Sequence, residues 1–221
     1  MFITFEGMEG CGKSTQAKRL VDHLEQLAIP VVLTLEPGGT RVGEAIRRVL
    51  LDSRNDNLSP LAELLLYVAD RAQHMEEVIK PALKQGKWVV CDRFADATTV
   101  YQGYARGQDM TLIHRLRQKT CSGFRPDITF LLDCPVDVGL KRAIRRNETL
   151  SEDGQDRFER EKRAFHEAVK QGYLTVAKEE QERFAVIDAT LTEDETEVRI
   201  FRRIQPFLPN PDRPVGPQIK P

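Results

Sequence analysis

The chain holds 221 residues, with 33 Lys+Arg against 34 Asp+Glu, a formal net charge of −1 and 40% hydrophobic side chains. A chain of that size buries a full core in one domain without disulfide or metal staples. Its near-zero charge excludes a broadly basic nucleic-acid binder and a self-repelling disordered chain. The cations are 22 Arg and 11 Lys, a tilt toward the side chain that grips phosphate and carboxylate in two parallel hydrogen bonds.

Short β-rich runs alternate with longer amphipathic ones, the pattern of a parallel sheet with helices on both faces. Strands are expected at residues 2–6, 31–35, 87–91, 128–133 and 184–188. Between them, residues 14–27 place Ala17, Leu20, Val21, Leu24 and Leu27 on one helical stripe. Further helices are expected over 42–51, 60–85 with an interruption near Pro81, 95–104, 111–121, 136–146, 158–182 and 193–207. The fold class is α/β, a three-layer α/β/α arrangement around a five-stranded parallel sheet. Residues 1–207 form its single domain. Residues 206–221 hold six of the twelve prolines, so 208–221 are expected to be an extended or disordered tail.

Cys11, Cys91, Cys121 and Cys134 form no CxxC pair, which suggests neither a zinc site nor a disulfide framework. The start MFITFEG lacks the basic and apolar regions of a signal peptide, and no run reaches the roughly 18 apolar residues of a membrane span. A cytoplasmic protein with reduced thiols is expected.

The strongest chemical signal is Gly7-Met8-Glu9-Gly10-Cys11-Gly12-Lys13-Ser14, followed by Thr15. It matches GxxxxGK[ST], a phosphate-binding loop (P-loop), between a strand and an amphipathic helix. Glycines let backbone N–H groups turn toward a phosphate and the helix N-terminus adds a positive dipole end. Lys13 reaches the β- and γ-phosphates, and Ser14 ligates Mg²⁺. ATP or GTP binding follows, and three classes compete: a small-molecule kinase, a GTPase switch and a motor or clamp ATPase. No Asn-Lys-x-Asp guanine motif is present, which argues against the GTPase.

A kinase needs an acceptor site. At the carboxyl end of the third strand stand Asp92, suited to orient Mg²⁺, and Arg93, suited to a second phosphate. Taken alone, the two read equally well as a strand-end ion pair.

Further blocks are EPGGT (36–40), LLLYVADRAQHMEEVIKPAL (64–83), DRFADATTVYQG (92–103), FRPDITFLLD (124–133) and VGLKRA (138–143). With the phosphate loop, in this order, they make the chain resemble the bacterial thymidylate kinases over residues 1–207. The resemblance implies an ATP- and Mg²⁺-dependent transfer to dTMP, giving dTDP for dTTP synthesis, in a homodimer. It implies that Tyr67 stacks on thymine and that Arg71 donates to thymine O4, an edge where cytosine carries a donor instead. Thr98 would contact the base N3, and Tyr101, beside Gln102, would exclude a 2′-hydroxyl. Glu9 would hold the 3′-hydroxyl side of the sugar, and Arg47 and Arg93 the acceptor phosphate beside Pro37. Ala97 and Phe94 depart from the Ser and Tyr common in the family. The competing classes are another nucleoside monophosphate kinase and a nucleotide-dependent regulator without transferase activity.

The acceptor phosphate is largely dianionic at pH 7, so no general base is required, but positive charge over the transferring group is. Cys11 stands where one subgroup of the family has arginine. The cation is therefore expected from a lid at about 142–157, with Arg146 and Arg157 as candidates. The Asp188-Ala189-Thr190 turn is expected on the adenine side. Arg47, Arg71, Arg93 and the lid arginines predict a strongly positive cleft in a chain that is neutral overall.

Overall fold

Phe2–Glu6 forms β1, and all five of its side chains are buried, as a central strand covered on both faces requires. The computed structural model describes residues 1–150 and 157–209, the side chains of 148–150 excepted. After β1 come α1 (Lys13–Gln26), β2 (Val31–Leu35), α2 (Arg41–Leu51), α3 (Pro60–His74), a π-helical turn (Met75–Ile79), α4 (Lys80–Lys84) and β3 (Trp88–Asp92). Then follow α5 (Ala95–Thr98), a π-helical segment (Thr99–Ala105), α6 (Met110–Cys121), β4 (Ile128–Asp133), α7 (Val136–Leu150), α8 (Arg163–Glu179), β5 (Phe184–Asp188) and α9 (Glu193–Ile204).

The five strands are all parallel, in the order β2-β3-β1-β4-β5. β1 lies between β3 and β4, so the order reverses beside it. Ligands of open parallel sheets bind at the carboxyl ends of the strands near that reversal. Alternation along β1 divides the core. Ile3 and Phe5 pack with Ala17, Leu20 and Leu24 of α1, whereas Phe2 joins Met75, Ile79, Val89, Phe94 and Cys121.

The helix boundaries depart from expectation where specific contacts intervene. The interruption near Pro81 is a π turn at Met75–Ile79, one turn early. Proline offers no N–H to the carbonyl four residues back and crowds it, which widens the preceding turn. The helix expected over 95–104 is likewise split into α5 and a π segment. α8 starts at Arg163 instead of 158, because residues 157–160 form a turn around an anchored Arg157. α7 continues to Leu150, four residues beyond its expected end. Residues 151–156 of the expected lid and 210–221 of the expected tail lie outside the described residues. Among the described residues, no helix is long and apolar enough to cross a membrane.

Candidate active site

Two clefts open at the carboxyl edge of the sheet and meet at the loop between β1 and α1. The first, of about 1020 Å³, is walled by the ends of β2 and β3, α3, the Thr99–Ala105 segment and Phe158. The second, of about 1220 Å³, lies between the loop with α1 on one side and α7 with residues 189–196 on the other. Gly10, Lys13, Ser14 and Arg146 line both.

The loop is shaped by its glycines. Gly10 and Gly12 sit at φ 70° and 92° in the left-handed region, where a side chain is strained. A Cβ on Gly10 would come within 1.9 Å of the Gly139 carbonyl oxygen, so α7 packs directly on the loop. No side chain caps α1, leaving its first-turn N–H groups directed at the loop mouth, where an anion would lie. Lys13 Nζ donates to the Met8 carbonyl at 2.6 Å and to Cys11 Sγ at 3.5 Å, both backbone-loop neighbours. Cys11, Gly12 and Thr15 line the second cleft only, and Gly7 and Met8 lie beneath the loop and line neither. The loop thus fits the phosphates of a nucleoside triphosphate. On the far wall, Arg142 Nη1 donates to the Ala189 carbonyl at 2.8 Å, fixing the turn expected on the adenine side.

Ser14 Oγ donates to Asp92 Oδ2, joining the start of α1 to the end of β3. Among the described residues no cluster of three or more His, Cys, Asp or Glu could hold a metal. A hydroxyl beside one carboxylate, with phosphate oxygens and water to complete the octahedron, is the donor set Mg²⁺ takes. The residues present therefore fit that ion.

In the first cleft the polar side chains are paired with one another. Arg71 is 2% exposed; its Nε donates to Glu36 Oε2 at 2.8 Å, and its Nη2 donates to Thr98 Oγ1 at 2.9 Å and to the Phe94 carbonyl at 3.2 Å. Burial disfavours its charge, and the Glu36 carboxylate more than compensates, so Arg71 stays ionised. His74 Nδ1 lies 2.9 Å from Glu36 Oε1. Arg93, at φ 70°, is one of three non-glycine residues at positive φ among those described, a strained conformation of the kind found at functional sites. Its Nη1 donates to the Gly7 carbonyl at 2.9 Å and to Tyr173 Oη at 3.0 Å, and its Nη2 to Glu9 Oε1 at 3.1 Å. Tyr101 donates to the same Glu9 oxygen at 2.5 Å. Burial alone would push the Glu9 carboxyl up; His166, Arg93, Lys13 and Tyr101 outweigh it and hold the group at about 2.

Tyr67, Tyr101 and Phe158 form an aromatic wall, with ring centroids of Tyr67 and Tyr101 6.5 Å and 5.6 Å from that of Phe158. Pro37 follows a cis peptide bond, and its carbonyl accepts from Arg47 Nη1 at 2.9 Å. Gln102 lines the cleft, but its Nε2 is taken by Glu63 Oε1 at 2.9 Å.

Two expectations are corrected. Arg157 does not reach either cleft: it is buried, its Nε donating to the Leu50 carbonyl and its Nη2 to Glu63 Oε2, both at 2.6 Å. Such a guanidinium anchors the turn that carries Phe158. Arg146, half exposed and lining both clefts, bonds Asn147 Oδ1 at 3.0 Å and Glu159 Oε1 at 3.4 Å. The acceptor cleft is also not strongly positive. Lys13, Arg47, Arg71, Arg93 and Arg146 line it, but so do Glu9, Glu36, Asp92 and Glu159. Buried guanidinium groups are held by carboxylates because an unpaired buried charge is costly. Sequence reasoning missed Phe158, Glu159, Glu63 and His166. For the first two, the string Asp-Arg-Phe-Glu at 156–159 is the available signal, its aromatic and its acid standing beside the candidate arginine.

The thymidylate kinase family model matches residues 5–200. The chain belongs to the thymidylate kinase family. It is 53% identical over 215 residues to the thymidylate kinase of Desulfosudis oleivorans, covering 97% of this chain and all of that one. It is 52% identical over 200 residues to the thymidylate kinase of Geotalea daltonii, covering 90% and 94%. The crystal structure of thymidylate kinase from Ehrlichia chaffeensis is 34% identical and superposes with a TM-score of 0.75 over 93% of this chain and 98% of that one. Membership of a kinase family makes this chain a phosphotransferase, and the α/β fold with five parallel strands is the family's own.

Proposed function

We propose that this kinase transfers the γ-phosphoryl group of ATP to dTMP, giving dTDP and ADP on the route to dTTP. The observation that carries this reading is the meeting of the two clefts at Gly10, Lys13, Ser14 and Arg146. A triphosphate held by the loop in the second cleft directs its terminal phosphate at an acceptor in the first.

On the acceptor side, Tyr67 and Phe158 offer ring faces to the base. Arg71, its Nε and Nη2 fixed by Glu36 and Thr98, directs its remaining nitrogen, Nη1, at thymine O4. Thr98 serves N3. Tyr101 closes the 2′ side, and Glu9 accepts from the 3′-hydroxyl. Arg93 and Arg47 hold the acceptor phosphate. On the donor side, Lys13 exchanges its loop carbonyl for phosphate oxygens, and Arg146 covers the transferring group. Ser14 and Asp92 would hold Mg²⁺, which when bound neutralises charge on the phosphate oxygens. The acceptor oxygen is already ionised, so the residues align and neutralise, and none needs to remove a proton.

Residues 1–207 act as one domain in this reading, and the location is the cytoplasm, where the free thiols Cys11, Cys91, Cys121 and Cys134, all buried, stay reduced. The kinase works as a homodimer through α2 and α3, which expose Val42, Val49, Leu61 and Leu65 at 43%, 43%, 52% and 47%. Light scattering that returns a monomer mass at micromolar concentration sinks the dimer. Incubation with ATP, Mg²⁺ and dTMP, followed by chromatography of the products, tests the reaction; no dTDP means the reading is wrong.

A further inference from the structure

α8 runs behind the acceptor cleft and sends two polar side chains toward it, His166 and Tyr173, seven residues or about two turns apart. Tyr173 is fully engaged: its hydroxyl donates to Glu6 Oε2 at 2.7 Å and accepts from Arg93 Nη1 at 3.0 Å. His166 is not. Its side chain is 0% exposed, and neither Nδ1 nor Nε2 has a hydrogen-bond partner among the described residues. Nδ1 lies 3.7 Å from Glu9 Oε2, which is also buried and also unpartnered.

Unpaired buried polar atoms are rare because each carries its desolvation cost uncompensated. Packing does not explain the imidazole: its neighbours Phe165 and Val169 are apolar and buried, and an apolar ring would fill the space without that cost. The orphans are complementary, a ring N–H and a carboxylate oxygen, and less than 1 Å of approach brings 3.7 Å into hydrogen-bond range. Among the described residues, the hydrogen bonds to Glu9 are made through Oε1, which accepts from Tyr101 and Arg93. A carboxylate fixed through one oxygen is free to swing about that contact.

We propose that His166 is a positioning residue that grips Glu9 Oε2 through Nδ1–H and so fixes the rotation at which Oε1 meets the acceptor sugar. The ring does not line the cleft, so it touches no substrate and acts through Glu9, as a supporting residue behind a functional carboxylate does. With Tyr173 behind Arg93, α8 then backs both the sugar contact and the phosphate contact. The inference rests on the assignment of Glu9 to the 3′-hydroxyl, and the test separates the two.

The first measurement is independent of substrate. In protein labelled with ¹⁵N-histidine, the His166 ring resonances are assigned by loss in His166→Asn and followed in Glu9→Gln. A changed Nδ1 shift is expected, and an unchanged one overturns the pairing. The second is the ratio of kcat/KM for dTMP to that for the analogue lacking the 3′-hydroxyl. His166→Leu is expected to lower it about tenfold, the worth of one charge-assisted hydrogen bond. His166→Asn, which keeps an N–H near Nδ1, is expected to retain most of it. A ratio that falls in Glu9→Gln but holds in His166→Leu overturns the proposal. A ratio unmoved in Glu9→Gln itself refutes the sugar assignment and with it the role of His166 in sugar recognition, and leaves the ¹⁵N result to decide the pairing alone.

Discussion

Arg71 Nε lies 2.8 Å from Glu36 Oε2, and both side chains are only 2% exposed. The residues are 35 positions apart in the chain, on α3 and at the end of β2, and neither is stable in place without the other. Arg71→Ala leaves a buried carboxylate with His74 alone and is expected to cost about 3 kcal/mol of stability, the scale for breaking a buried ion pair. Arg71→Lys keeps the charge but loses the planar fork. It is expected to fold, to weaken dTMP use about tenfold and to relax the preference over dCMP. Thermal melts with kcat/KM for both nucleotides check this.

Arg146 and Arg157 are expected to separate cleanly. Arg146 lines both clefts and Arg157 neither, so Arg146→Ala is expected to lower kcat by about 10³-fold, the scale of a phosphate-clamping arginine. Arg157→Ala is expected to lower Tm and raise KM for dTMP, because it releases the turn that carries Phe158, while kcat changes far less. Equal losses of kcat in the two variants would contradict the placement.

The pairing of Ser14 with Asp92 leads to a metal prediction. Asp92→Asn removes the one charged donor at that spot, and the Mg²⁺ concentration giving half-maximal rate is expected to rise about 10- to 100-fold. Titration of Mg²⁺ at saturating ATP checks it.

These variants also mark how much was legible in the sequence. The phosphate loop is contiguous, and its glycines, Lys13 and Ser14 act within eight positions of one another, so local pattern sufficed. Four of the five strands fall at their expected residues, since short runs of β-branched and aromatic residues are bounded by turns and helices on both sides. What escaped are partnerships across the fold. Glu63 joins Gln102 and Arg157, 39 and 94 positions away, and nothing in the spacing of those residues announces it. Arg157 shares a string with Phe158 and a charge with Arg146, and only tertiary burial tells an anchor from a phosphate ligand. The π-helical segments were missed for a related reason: one lies just before Pro81 and the other lies against α8, where Gly172 meets Tyr104 and Val100, and such contacts leave no local pattern.

Buried Glu6 gives a pH prediction. Burial and the nearby Asp96 push its carboxyl up to about 7, against the pull of Arg93, the Tyr173 hydroxyl and the Phe94 N–H. The folded state therefore binds a proton that the unfolded chain, titrating near 4.5, has lost. Stability from this group is present at low pH and falls as pH rises from 4.5 to about 7. Glu6→Gln cannot titrate, so its Tm is expected to change less than that of the unaltered protein between about pH 5 and about pH 8. Parallel Tm profiles would contradict the shift.

In the proposed reaction, the aromatic wall and the Glu36-held Arg71 select thymine. A single reaction containing ATP, Mg²⁺ and equal amounts of dTMP, dUMP, dCMP, dGMP and AMP, resolved by chromatography at low conversion, tests it most directly. dTDP is expected as the main product, with dCDP at least about a hundredfold lower, since the wrong edge leaves Arg71 facing a donor. Comparable yields of dCDP and dTDP, or turnover of AMP alone, would contradict it.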